Sequence, residues 1–301
     1  MCYNQLMSKN FYQLLTEKKV LVADGAWGTE IAKNQQIKFA YPEILNLTHP
    51  EIIEKLAASY VEAGADIILT NTFGANILKL KKYGAEDRLN EINKKGVEIS
   101  LRVAGNKIVL ASMGPTGQLL EPYGNIPEKE MINCFEQQAE ILIKSGADGI
   151  VIETMSDVNE ALCALKAVKN ITDRTVVVCM TFNKTVNGYR TLMGTRADEC
   201  AILLKKYGAS VVGANCGSGI EDFVSIVKEM NKVNLPVWVK PNAGIPKLVN
   251  GKTVYPHTPE HMAGYVPELI KVGASVIGGC CGTTPLHIRE IKKAVSIYLK
   301  Q

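Results

Sequence analysis

Three cysteines stand where chemistry is expected. Cys216 closes the apolar run VVGAN, and the adjacent pair Cys280 and Cys281 closes SVIGG. Three thiolates suit a soft or borderline ion, and zinc is the commonest tetrahedral choice. Three protein ligands leave one position open, as in a catalytic rather than a structural zinc. Such an opening suits a substrate thiol: an alkyl thiol with a pKa near ~8.5 is mostly protonated at neutral pH, and a metal takes it as the thiolate. The thiolate-rich surroundings keep that sulfur nucleophilic and disfavour water activation. A vicinal disulfide between Cys280 and Cys281 is the alternative, but it gives Cys216 no role. The other five, Cys2, Cys134, Cys163, Cys179 and Cys200, fall at the terminus, in helical patterns or inside a strand, where cysteine usually serves as a small hydrophobe. Two carboxylates, Asp24 and Glu153, also directly follow apolar runs. Each could serve a site or simply cap the next helix.

The elements that position these groups repeat along the chain. A helical pattern ends in Gly-Ala and runs into an apolar strand at EAGADIILTN, KSGADGIVIE, KYGASVVGAN and KVGASVIGGC. Gly64, Gly146, Gly208 and Gly273 suit the left-handed turn that ends a helix, and the run that follows reads as a buried parallel strand. These glycines are 82, 62 and 65 residues apart. One strand and helix take roughly 30 residues, so each interval holds two units. The intervening strands are KVLVAD, KIVLAS, TVVVCMT and LPVWVK.

Eight such units in one chain predict an α/β protein, a (β/α)8 TIM barrel, with residues 1–301 as a single domain. An open doubly wound sheet is the runner-up, but its GxGxxG turn after the first strand is missing. GIPKLVNGKT resembles a phosphate loop only faintly, with six residues between its glycines where that motif has four. A barrel places its chemistry where the strands end. Those ends carry Asp24-Gly25, Asn71-Thr72, Gly114-Pro115-Thr116, Glu153-Thr154, Thr181-Phe182-Asn183, Asn215-Cys216, Pro241-Asn242 and Cys280-Cys281. Adjacent side chains on a regular strand face opposite ways, so Gly278, Gly279 and Gly282 are expected to supply the backbone freedom that aims both Cys280 and Cys281 inward. The four histidines, His49, His257, His261 and His287, form no metal-binding pair at a strand end and are read as surface or supporting residues.

Bulk properties narrow the function classes. With 47% hydrophobic residues over 301 positions, the chain can bury a large core, which argues against disorder. The net charge of +4 comes from scattered lysines with no basic stripe, so no nucleic-acid partner is expected. No apolar stretch approaches ~18 residues and the N-terminus lacks a secretory pattern, so the expectation is a cytoplasmic protein without a membrane partner. A reducing compartment turns eight cysteines toward metal or catalytic roles.

The strings DGAWGTE, TNTFGAN, GPTG, IET, GANCGSG, KPNAG, NGKTVYP and GGCCGTTP, in this order over nearly the whole chain, resemble the homocysteine S-methyltransferase family. The likeness is greatest to the homocysteine-binding barrel of cobalamin-dependent methionine synthases. The resemblance implies that Cys216, Cys280 and Cys281 hold Zn2+ and that homocysteine is the methyl acceptor. It implies that Asp24 and Glu153 bind the substrate ammonium, beside Asn215, and that amides near Gly25 and Ala26 hold its carboxylate. Asn242 would fill the fourth zinc position before substrate enters.

The resemblance implies a methylcobalamin donor, and because the chain carries no DxHxxG corrinoid signature that donor is expected on a separate corrinoid protein. A betaine donor calls for an aromatic cage, and only Trp27 and Trp238 are available. S-methylmethionine-dependent relatives usually carry Arg after the paired cysteines, where Gly282 stands here. Trp27 departs from the smaller or more flexible residue of the methionine synthase pattern, and either narrows the pocket or reshapes the surface that meets the donor. Three alternatives remain: an S-methylmethionine-dependent enzyme, a corrinoid-linked methyltransferase acting on another thiol or methyl donor, and a catalytically silent barrel.

Overall fold

The computed structural model describes residues 10–33 and 37–301, which leaves Cys2 outside the described residues. Twelve strands follow one another in the described chain: β1 (Leu21–Val22), β2 (Ile67–Leu69), β3 (Ile108–Met113), β4 (Gly149–Met155), β5 (Thr175–Met180), β6 (Asn183–Thr185), β7 (Gly188–Arg190), β8 (Val211–Gly219), β9 (Val237–Asn242), β10 (Lys247–Val249), β11 (Lys252–Val254) and β12 (Ala274–Ile277). Eight of them form one parallel sheet in the order β1-β12-β9-β8-β5-β4-β3-β2. An isolated parallel bridge between Ala23 and Ile67 joins the two edges, so the sheet closes into a (β/α)8 barrel. All eight are the strands expected from the sequence. At the four Gly-Ala helix ends, φ of Gly64, Gly146, Gly208 and Gly273 lies between 93° and 110°, as a left-handed terminus requires.

Alternate residues of each strand divide between two cores. Leu21, Leu69, Leu110, Val151, Val177 and Val211 fill the barrel interior around Trp238, and Phe11 from the helix Phe11–Lys18 plugs its N-terminal end. The outward set packs under the surrounding helices. Cys134, Cys163 and Cys200 are buried in helices and Cys179 in β5, as small apolar residues. Burial pushes the first three thiols up to about 11, 12 and 12.

Two antiparallel hairpins, β6–β7 and β10–β11, were not expected from the sequence. The second is the stretch that faintly resembled a phosphate loop. Its two-residue turn, Asn250-Gly251, has φ of 50° and 73°, the mirror-image turn that favours these residues.

At the end of the barrel away from the expected site, the buried carboxylate of Asp66 ties three segments together. It accepts from Lys18 Nζ at 2.6 Å, from the Val22 amide at 3.0 Å and from Lys292 Nζ at 3.0 Å. Burial alone raises its pKa, but the two lysines and the amide outweigh that and hold it below the usual aspartate value. Because the folded pKa is depressed, this contribution is complete above the unfolded aspartate pKa and is lost as pH falls through the folded one. Asp66→Asn should cost about 2 kcal/mol at neutral pH, given the charged hydrogen bonds removed. Urea titrations at neutral and acid pH should show that difference shrinking toward low pH.

Candidate functional site

The strand ends open into a cavity of about 300 Å³. Its lining includes Gly25, Ala26 and Trp27 after β1, Thr70, Asn71 and Phe73 after β2, Ser112, Glu153, Thr154 and Lys240, with Cys216, Cys280 and Cys281. The three sulfurs lie within 4.8 Å of one another, and those of Cys216 and Cys281 are 4.0 Å apart.

Local backbone chemistry explains the convergence. Cys216 takes φ of 60° within β8, where the pairing with β9 is interrupted between Asn215 and Gly219, a left-handed conformation rare for a side-chain-bearing residue. The pair after β12 is held from three sides. The Cys280 amide donates to Pro241 O at 2.8 Å, Thr283 Oγ1 donates to Cys280 O at 2.7 Å, and the Ala243 amide donates to Cys281 O at 2.9 Å. Only Gly282 of the three neighbouring glycines has positive φ, at 81°. Gly278 and Gly279 serve close approach instead, since a Cβ there would lie 2.7 Å from Asp24 O and 2.4 Å from Thr283 Oγ1.

The three thiols are linked by hydrogen bonds. Hydrogen bonds from Cys280 and Cys281 pull the Cys216 thiol down to about 3, and the same bonds hold those two partners above their ordinary value. A cation is what would let all three ionise together. Asn242 hydrogen-bonds the Cys216 sulfur, and its Oδ1 is buried with no partner among the described residues. Soft, clustered, partly accessible sulfurs beside an unpaired buried oxygen fit a tetrahedral zinc.

Tyr255, which the sequence reading did not single out beyond the string NGKTVYP, completes this corner. Its hydroxyl hydrogen-bonds Cys281, and burial followed by the Cys281 thiolate pushes its pKa up to about 12. Its ring occupies the space over Gly282, where a Cβ would come within 2.1 Å. Partners that orient a ligand typically change metal affinity ten- to a hundred-fold. Tyr255→Phe should therefore weaken zinc retention about tenfold, read by competition with a chromogenic chelator.

The opposite wall is charged. Asp24 is fully buried: Oδ1 accepts from Lys240 Nζ at 2.6 Å, and Oδ2 accepts from Trp27 Nε1 at 2.8 Å and the Leu69 amide at 2.7 Å. Asp24 thus sits behind the lining, already engaged, with Lys240 between it and the cavity. Glu153 faces the cavity, and Ser112 Oγ donates to its Oε1 at 2.5 Å. Burial raises its pKa, and Lys240 and Ser112 act against that. Lys240 thus stands between the carboxylates of Asp24 and Glu153, and Glu43 also lines the cavity.

Asn215 acts as a clamp behind that wall. Its Oδ1 accepts from the Thr154 amide at 2.7 Å, and its Nδ2 donates to Thr154 Oγ1 at 2.8 Å and lies 3.7 Å from Cys280 Sγ. The clamp holds Thr154, a β-branched residue, at φ of 63°, strain of order 1–3 kcal/mol kept beside Glu153. The Ala26 amide donates to Thr283 Oγ1 at 3.1 Å, so it is engaged within the chain rather than turned to a ligand. Lys240 and Ser112 are site residues that sequence reading passed over. A lysine closing the otherwise apolar strand LPVWVK was the available signal for the first.

A family model described as homocysteine S-methyltransferase matches residues 21–295. Methionine synthases of Mycobacterium tuberculosis and Mycobacterium leprae are 33% and 32% identical over 93% of this chain. The chain spans about a quarter of their length, 25% and 24%. The crystal structure of the metallated form of the Escherichia coli homocysteine methyltransferase MmuM superposes with a TM-score of 0.78 at 23% identity, covering 93% of this chain and 98% of that one. No described helix is long and apolar enough to cross a membrane.

Proposed function

The chain belongs to the homocysteine S-methyltransferase family, and from that premise we propose that it transfers a methyl group to the thiol of homocysteine, giving methionine, with zinc held by Cys216, Cys280 and Cys281. The observation that carries this reading is three clustered sulfurs that line one amino-acid-sized cavity together with the carboxylate of Glu153. When bound, zinc supplies a Lewis acid that keeps a substrate thiol ionised at neutral pH. Asn242 Oδ1 is the further donor the chain can offer it.

The remaining work belongs to the chain's own groups. Glu153 receives the substrate ammonium. Ser112 and the Asn215 clamp fix the Glu153 carboxylate. Asp24 acts through Lys240: it holds that ammonium at 2.6 Å and so sets the charge that Glu153 feels. The backbone at Gly25 is left to meet the substrate carboxylate, since the Ala26 amide is taken by Thr283. Trp27 and Phe73 form apolar wall that limits water at the reacting sulfur.

For the donor we assign methylcobalamin on a corrinoid protein, supported by the identity shared with methionine synthases. Reduced, zinc-loaded protein given homocysteine with methylcobalamin, S-methylmethionine or betaine, each separately, tests the assignment. Methionine from methylcobalamin is the expected product. Methionine from S-methylmethionine alone would transfer the donor role to a sulfonium compound.

A further inference from the structure

A second group of side chains, outside the thiol site, has the composition of a metal centre. Glu221 lies in the first turn of the helix Ile220–Met230, directly after β8. His257 follows the β10–β11 hairpin, and His261 lies in the first turn of the helix Pro259–Gly264. Glu221 Oε1 is 3.2 Å from His257 Nε2 and 2.9 Å from His261 Nε2, and the ligand atoms of all three residues lie within 4.8 Å of one another. The histidines were expected to form no metal-binding pair at a strand end, and His257 and His261 indeed lie beyond the strands, around the start of the helix Pro259–Gly264. The two do converge, because the carboxylate that joins them comes from a different element 36 residues upstream of His257.

The arrangement is held in place from outside. The His257 amide donates to Ala243 O at 3.0 Å, and its carbonyl lies 3.0 Å from His287 Nε2. Thr258 caps the following helix by accepting from the His261 amide at 3.2 Å. Gly219 and Gly244 lie against the His257 ring, where a Cβ would come within 2.7 and 2.8 Å of it. The ring is thus packed on both sides while its Nδ1 is buried without a partner among the described residues. Glu221 and His261 are half-exposed, which leaves room for water ligands.

We propose that Glu221, His257 and His261 form a second metal site, which takes a borderline divalent ion such as zinc. Two imidazoles and one carboxylate are a common donor set for such ions. Bound there, the ion joins the helix that follows Cys216 to the segment that follows Asn242 and Tyr255. Its role is to fasten the loops around the thiol site, with no part in the methyl transfer itself. The site rests on residues separate from the thiols, so either can fail alone.

The test counts metal. Untagged protein is loaded with Co2+, freed of excess by gel filtration and analysed for cobalt per chain and for absorption. The same is done for Glu221→Gln, for His261→Asn and for a Cys216→Ala/Cys280→Ala double variant, each checked for folding by circular dichroism. Two equivalents are expected in the wild type: one with intense thiolate-to-cobalt charge transfer and one with only weak ligand-field bands. Glu221→Gln and His261→Asn should each keep the first and lose the second. The double cysteine variant should keep only the second. A wild type that retains one equivalent with thiolate absorption would overturn the proposal, as would a weak-band equivalent that survives both Glu221→Gln and His261→Asn.

Discussion

Cys216→Ala is expected to leave a folded barrel whose thiol site no longer retains zinc and which transfers methyl groups about a thousand-fold more slowly. The size follows from the several kcal/mol that a metal contributes to charge stabilisation, at about 1.4 kcal/mol per factor of ten. Cys216 is the sensitive position because its sulfur hydrogen-bonds both other thiols and Asn242. Its backbone is also committed, since φ of 60° is strained for cysteine and native contacts must hold it. Alanine would sit in the same strained conformation, so the fold should change little while the metal content falls. Atomic absorption in the Glu221→Gln background, which isolates the thiol site, and a methionine assay measure the two effects. Full zinc content together with full activity in this variant would remove the thiol cluster from the mechanism.

Glu153→Gln carries the second large effect. The substitution keeps the size of the side chain and removes the negative charge that faces the substrate ammonium. A charged hydrogen bond of this kind is worth about 1.5–3 kcal/mol, so kcat/KM for homocysteine should fall about a hundred-fold. An internal control comes from 4-mercaptobutanoate, which is homocysteine without its amino group. The wild type should discriminate strongly between the two thiols, and the variant should nearly lose that discrimination. Equal losses with both acceptors would mean that Glu153 acts on something other than the ammonium.

Most of the barrel was legible because its signals are local. A buried parallel strand is a short continuous apolar run, and a helix that turns into it needs a left-handed residue, so Gly64, Gly146, Gly208 and Gly273 mark four of the eight joints. The candidate thiols were legible for a related reason: a barrel strand-end position belongs to the active-site face wherever the residue lies in sequence. Lys240 and Asp24 are 216 residues apart and meet only through the closed sheet, so no spacing announces their pairing. That contact is also why Asp24 is placed behind the cavity, although its sequence position equals that of Glu153. Tyr255, His257 and Glu221 were hidden for another reason. They reach their partners through an Asn-Gly hairpin and a helix start whose placement is set by tertiary packing rather than by periodicity.

The central proposal is that the cysteine-held metal takes the substrate thiol directly, and zinc K-edge X-ray absorption on the reduced protein tests it without any methyl donor present. The expected spectrum has three sulfur neighbours for the thiol-site zinc in the Glu221→Gln background, which isolates that site, and four after homocysteine is added. An unchanged sulfur count on saturation with homocysteine, or a zinc with no sulfur neighbours at all, would contradict it.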